Sequence, residues 1–386
     1  MPSSTSSSDA AVIAIPLADA RADVPRLTAS DRPGVAQPVP ERDIPAQPWR
    51  AVSVGALTLF VVLMAVWEFY WRNQGATPGY YNSNGEWAQQ RRRIDTGEGG
   101  KTVLVGSSRM LFDVQLPVWE KVTGERPIQI AIEGTSAVPV LEDLAADPSF
   151  TGRVVAGVAS DLFFTGFAFR GDVIPYFHKE SPSKRVGNWL SRQFIEPYFA
   201  FDDFDFALGA VMKRQPWPER DGIPTRFDVR KLLTQESDRN SHLWSKLETD
   251  AEYRELARTI WSQRFDGPPP PSMDTPEKLQ KIADTQIQRA VDAVAKLRAR
   301  GVSVLFVRPP TAGRYLEFDD KFFPRERTWN VLLARTGAPG IHFMDYPELQ
   351  GYELPEWSHI KATDADRFTE ALATIVTRDF WKETQD

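Results

Sequence analysis

Hydrophobic positions along this chain of 386 residues fall into three regimes. From Met1 to about Gln47, serine, alanine, proline and scattered charges follow one another without an apolar period. Such a composition cannot offset the entropy of ordering a backbone, so residues 1–47 are expected to be a disordered tail. From Ala51 to Trp71 the run AVSVGALTLFVVLMAVWEFYW is almost wholly apolar, with Glu68 as its one acid. A helix of that length spans a bilayer. A buried core helix would show a polar face, and this run has none. Trp49 on one side, and Trp67, Phe69, Tyr70 and Trp71 on the other, match the aromatic belts found at headgroup depth. The tail before it is too long for a signal-peptide n-region and no small-x-small site follows, so residues 48–72 are expected to stay as a transmembrane anchor. Arg42 and Arg50 flank one end, and Arg72 followed by Arg91, Arg92 and Arg93 the other, so charge alone does not orient the helix. Residues 73–100 read as a juxtamembrane linker.

From Lys101 onward the period changes. Short β-branched runs alternate with helical patterns, which predicts an α/β fold: a three-layer α/β/α sandwich around a central parallel sheet. The expected strands are Thr102–Val105, Ile128–Ile132, Val154–Val158, Val302–Val307 and Ile341–Met344. Thr275 followed by Pro276 predicts the start of a helix with Leu279, Ile282, Ala283, Ile287, Ala290, Val291, Val294 and Leu297 on one stripe, ended by Gly301. Thr363 with Asp366 three residues later resembles a capping box, opening a last helix that presents Phe368, Leu372, Ile375 and Val376. Between about 163 and 271 the pattern loosens into aromatic-rich, mainly helical sequence, read as an insertion between the third and fourth strands. It serves either as a lid or as an ordinary helical subdomain.

Composition narrows the function classes. A hydrophobic share of 42% supports a full-sized core, and a net charge of −6 with interspersed signs offers no basic patch for nucleic acid. The chain has no cysteine, which excludes disulfides, thiolate chemistry and cysteine-bound zinc. His178 and His242 lie in the insertion without metal-ligand spacing, and His342 sits in a strand pattern as a packed residue. Neither a metal nor a cofactor is expected.

Two stretches carry candidate chemistry. In KTVLVGSSRMLFD, a strand runs into Gly106, Ser107, Ser108 and Arg109, which puts Ser108 just beyond the carboxyl end of the first strand, where α/β sheets bind ligands. Amides of the turn that follows can hold an oxyanion. In ELPEWSHIKATDADRF, Glu356 precedes His359 by three residues in a loop, so that a carboxylate can orient an imidazole and stabilise its protonated form. Asp345, after the fifth strand, is the rival acid. Arg308 ends the fourth strand in VLFVRPP and, like Arg109, suits either an acidic substrate group or a structural ion pair.

These blocks resemble those of the SGNH/GDSL hydrolase superfamily, especially its membrane-anchored bacterial branch of alginate O-acetyltransferase-like, polysaccharide-modifying proteins. The resemblance covers about Lys101 to Ile375, apart from the insertion. It implies Ser108 as nucleophile, with Ser107 in place of the usual aspartate, and Gly134 in IAIEGTS as an oxyanion donor beside the Ser108 amide. Glu356 and His359 match the Asp-x-x-His block. The Gly-x-Asn block departs from the pattern: the chain reads Gly157, Val158, Ala159, Ser160, Asp161, leaving Ser160 and Asp161 as candidate replacements. Loss of one oxyanion donor typically costs about 2.7–4 kcal/mol of transition-state stabilisation.

The function implied is that of a serine O-acyltransferase or esterase acting on acyl, notably acetyl, esters of envelope or exported polysaccharide. It would be held by a single pass in a bacterial inner membrane, with the large domain periplasmic and a membrane partner supplying acyl groups. The rival expectation is a noncatalytic SGNH-fold protein for glycan binding or polysaccharide assembly.

Overall fold

The structure is a computed structural model that describes residues 46–215 and 230–381. The expected disordered tail therefore lies almost wholly outside the described residues. The chain divides into two units, Met1–Phe60 and Val61–Asp386. Among the described residues, one helix, Trp49–Asn73, is long and apolar enough to cross a membrane. None of its residues is buried.

Five strands among the described residues form one parallel sheet. They are β1 (Thr102–Val105), β2 (Ile128–Gln129), β3 (Arg153–Gly157), β6 (Ser303–Arg308) and β7 (Gly340–His342), in the spatial order β2-β1-β3-β6-β7. Strand alternation divides the core in two. Val103, Val154, Val304 and Phe306 face a cluster with Leu141, Ile287 and Trp329 from helices Val138–Ala146, Pro276–Arg298 and Trp329–Thr336. Leu104, Val155, Leu305 and Ile341 face the opposite cluster, with Trp119 and Phe368 from helices Leu116–Thr123 and Ala362–Ile375. Burial on both faces is why these strands read as continuous apolar runs.

Thr275 caps its helix as expected, its side chain accepting the Lys278 amide. Other boundaries moved. The second strand is regular only to Gln129: the amides of Ile130 and Ile132 still bond Leu104 and Gly106 of the first strand's edge, but the Ile130 carbonyl is taken by Trp87 Nε1. The last helix begins at Ala362, without a Thr363 cap, because the Ala362 amide is met by Glu248 Oε1 at 2.7 Å.

Residues 73–100 are not simply a linker. Helix Asn84–Arg93 packs into the body, with Trp87 fully buried and Arg91 paired at 2.7 Å with both Asp143 and Asp147. Arg92 pairs with Glu180 and Arg93 with Glu98, so the three arginines of this run are held by carboxylates. The insertion between β3 and β6 is helical in large part, including Pro182–Phe194 and Ala251–Asp266. It also carries an antiparallel hairpin, β4 (Leu233–Gln235) with β5 (Ser241–Leu243).

Candidate active site

Numbering only the parallel strands, their order is 2-1-3-4-5, which leaves a crevice at the carboxyl ends of the adjacent strands β1 and β3, where the winding reverses. The Gly106 turn delivers Ser108 to this edge. Gly106 has φ 152°, and a Cβ there would lie 2.6 Å from Met110 Cγ, so both its backbone and its packing exclude a side chain. Ser108 opens the short helix Ser108–Phe112 and is partly exposed. Ser108 and Gly134 line one cleft of about 1370 Å³, together with Arg109, Trp261, Tyr315 and Ser358. The amides of Ser108 and Gly134 have no hydrogen-bond partner among the described residues.

Against Phe112, which also lines the cleft, lies the Glu356–His359 pair. Both side chains are fully buried. Glu356 Oε1 accepts the His359 amide at 2.7 Å and His359 Nδ1 at 2.9 Å, and Trp261 Nε1 donates to Oε2. Burial alone would raise the Glu356 pKa, but the adjoining His359 ring and these hydrogen bonds hold it below the usual carboxylate range. The imidazole packs against Phe112 with ring centroids 4.5 Å apart. Phe112 stands one helical turn after Ser108, on the same helix face. His359 Nε2 is buried without a hydrogen-bond partner among the described residues, and no bond joins it to Ser108.

The loop carrying the pair is strained. Trp357 has φ 72°, sparsely allowed for so large a residue. Its carbonyl accepts the Ala312 amide, and its ring lies where a Cβ on Gly313 would be 2.7 Å away, so Gly313 makes room for it. Asp113 anchors the same loop from the serine block by accepting the Ile360 amide at 3.0 Å. Burial, with the nearby Glu356 charge, pushes the Asp113 carboxyl well above its ordinary range.

Arg109 is buried at the cleft wall, its guanidinium 4.5 Å from the Tyr315 ring centre and its Nε donating to Ser358 Oγ at 3.2 Å. Nη1 lies 3.9 Å from Asp319 and has no hydrogen-bond partner among the described residues. Arg308 is committed elsewhere: it pairs with Asp319, bonds Pro309 and Thr311, and does not line the cleft. Asp319 lies between the two arginines, yet burial pushes its carboxyl up to about 6. Ser160 and Asp161 are also buried and off the cleft, with Asp161 Oδ2 accepting Tyr315 OH at 2.8 Å and facing Arg264 Nη1 at 3.0 Å. The structure thus brings together Ser108, Arg109 and Gly134 on one cleft and Glu356 with His359 against Phe112, while Arg308 and Asp161 serve buried polar contacts and Ser160 is buried away from the cleft.

Asp345 pairs with Arg325 at the surface and is not the acid beside His359. Sequence reasoning missed Trp261, Tyr315, Ser358 and Asp113. Of these, Asp113, five residues after Ser108, and Ser358, next to His359, lie within the two candidate blocks, whereas Trp261 and Tyr315 had no local signal. No group of three or more metal-ligating side chains gathers among the described residues.

Fold and cleft define a class: a doubly wound parallel α/β protein whose ligand crevice lies at the switch point of its sheet. No family model matches the chain, and no curated protein matches it either.

Proposed function

We propose that the protein is a membrane-anchored, SGNH-type serine acyltransferase or esterase acting on acyl esters of envelope or exported polysaccharide, with its large domain on the periplasmic side of a bacterial inner membrane. The observation that carries this reading is the buried Glu356–His359 pair, with Nε2 unengaged and the ring packed at a tilt against Phe112, one turn from the cleft-lining Ser108. In the proposed reaction His359 Nε2 takes the Ser108 proton and Ser108 Oγ attacks the ester carbonyl. The resulting oxyanion is held by the amides of Ser108 and Gly134. The alcohol leaves with the proton from His359, and a sugar hydroxyl or water then resolves the acyl-enzyme. Serine–histidine contacts are often long before substrate binds, which accommodates the unformed bond. The cleft exceeds the usual range for small ligands, which suits an extended substrate. A membrane partner would supply the acyl group.

The unformed bond also favours a second reading, a noncatalytic glycan-binding protein in which the Glu356–His359 pair only braces the loop. Fluorophosphonate labelling of the full chain in detergent separates the two. Labelling that Ser108→Ala and His359→Ala each abolish is the expected result. Silence from a protein shown to be folded would favour glycan binding.

A further inference from the structure

Helix Pro182–Phe194 is inside out. A helix on a soluble surface turns its apolar stripe to the core and its polar side chains to water. Here the polar side faces inward. Asn188 Nδ2 donates to Tyr176 OH at 3.1 Å and to Glu180 Oε1 at 2.9 Å, and the buried Arg192 donates to Gln89 Oε1 at 2.7 Å. The approach is close: a Cβ on Gly85 would fall 1.9 Å from Asn188 Nδ2, so helix Asn84–Arg93 meets this polar side at a glycine. The outward face carries Val186, Trp189, Leu190 and Phe194, exposed by 56, 53, 44 and 61%. The chain that follows adds Tyr198, Phe199 and Phe204, all exposed. A contiguous apolar surface of this kind marks a contact with something other than water.

Its position says what that contact is. Glu68, in the last turns of the apolar helix Trp49–Asn73, accepts the amides of Ala200 and Phe201, each at 3.0 Å. Arg72 Nη2 donates to the Tyr198 carbonyl at 3.0 Å, and the rings of Trp71 and Phe206 are 4.7 Å apart. The exposed run is therefore clamped to the level at which that helix ends, where Phe69 and Tyr70 are also exposed. Tryptophan, tyrosine and phenylalanine gather at that depth of a bilayer, and an amphipathic helix beside it lies in the interface plane. Lys184 and Arg185 at the helix start turn back to the Tyr176 ring and Glu180, which leaves the outward face apolar.

We propose that residues 182–204 seat their apolar face in the headgroup layer of the bilayer that Trp49–Asn73 crosses. Phe204 also borders the cleft that holds Ser108, so the seated segment forms one wall of it and sets its mouth at the membrane surface. The inference rests on the membrane-spanning reading and is independent of the acyl chemistry.

The test exploits the absence of native cysteine. Single-cysteine variants Leu190→Cys and Phe194→Cys of the full chain, with Leu63→Cys in the span and Thr374→Cys on a distant exposed helix face, are labelled with an environment-sensitive fluorophore. Each is reconstituted at one chain per nanodisc, in phosphatidylethanolamine and phosphatidylglycerol bearing nitroxides both near the headgroup, read at 190, 194 and 374, and near the acyl-chain end, read at 63. Quenching at 190 and 194 several-fold above that at 374 is the expected result. Quenching at 63 with 190 and 194 no different from 374 overturns the docking while leaving the span intact. No quenching at 63 removes the span and the docking together. Labels at 190 and 194 that are shielded from aqueous iodide only in a dimeric preparation, and never quenched by lipid, assign the face to a second copy and overturn the proposal.

Discussion

Trp261 donates its indole N–H to Glu356 Oε2, the oxygen that His359 leaves free, although the tryptophan lies 95 residues earlier in the insertion. The carboxylate is thus gripped from two sides: one oxygen fixes the imidazole through Nδ1 and the other is tied to helix Ala251–Asp266. Held in this way, a charge that burial would neutralise stays charged.

Trp261→Phe removes that grip and leaves a buried oxygen without its donor, at a cost of about 1–3 kcal/mol. The sign with pH follows from the depressed Glu356 pKa. Its stabilising contribution is present above the unfolded carboxylate value and is lost as pH falls through the folded one. With the pKa less depressed in the variant, that loss sets in at higher pH. Urea unfolding at pH 7 and pH 5 checks this, and equal stability of variant and parent at both would refute it.

Glu356→Gln keeps the size of the side chain but not its charge. If the pair serves catalysis, ester turnover falls by roughly four orders of magnitude while the fold survives. Rates within tenfold of the parent would reduce Glu356 to a loop brace.

Asp113 has the opposite linkage. Its raised pKa means that the folded state holds a proton which the unfolded chain releases above about pH 4, so stability falls as pH climbs through that window. Asparagine can still accept the Ile360 amide and carries no charge. Melting temperatures of Asp113→Asn and the parent from pH 4 to 8 should diverge, with the variant gaining as pH rises. A constant offset would count against the buried-acid account.

His342 provides an acid-sensitive counterpart. Burial, with Arg308 and Arg325 nearby, lowers its pKa to about 3. The unfolded chain takes up a proton below about 6.5 that the folded protein refuses, so this residue removes up to about 1.4 kcal/mol of stability per pH unit on acidification. His342→Asn, whose side-chain oxygen can replace Nδ1 in accepting the Met344 amide, should flatten the stability profile between pH 4 and 6.5. An unchanged slope in chemical denaturation would exclude His342 as its source.

What was legible in the sequence was local. Strands β1, β3 and β6 appear as β-branched runs, the Thr275 cap lies beside the proline it precedes, and Glu356 and His359 are three residues apart in one loop. What stayed hidden depends on distant partners. The run of Arg91, Arg92 and Arg93 reads as charges flanking the apolar helix in a linker until Asp143, Asp147, Glu180 and Glu98 are brought to it. Arg308 suited either role, and its contact with Asp319 selects the structural one. The strands of the β4–β5 hairpin are three residues each, too short to impose an alternating pattern. Trp261 resembled any other aromatic residue of the insertion, since nothing local announces a partner 95 residues away.

The clamp at Glu68 bears on how the polypeptide can be divided. Removing the apolar segment by cutting after Asn73 is the obvious route to a water-soluble fragment, and it would also discard Glu68, Trp71 and Arg72. The amides of Ala200 and Phe201 would lose their acceptor, and Phe206 the Trp71 ring packed against it. The last turns of the helix belong to the folded body, whose unit begins at Val61. Anchor and domain share residues, and a fragment that keeps the fold has to keep that end of the helix.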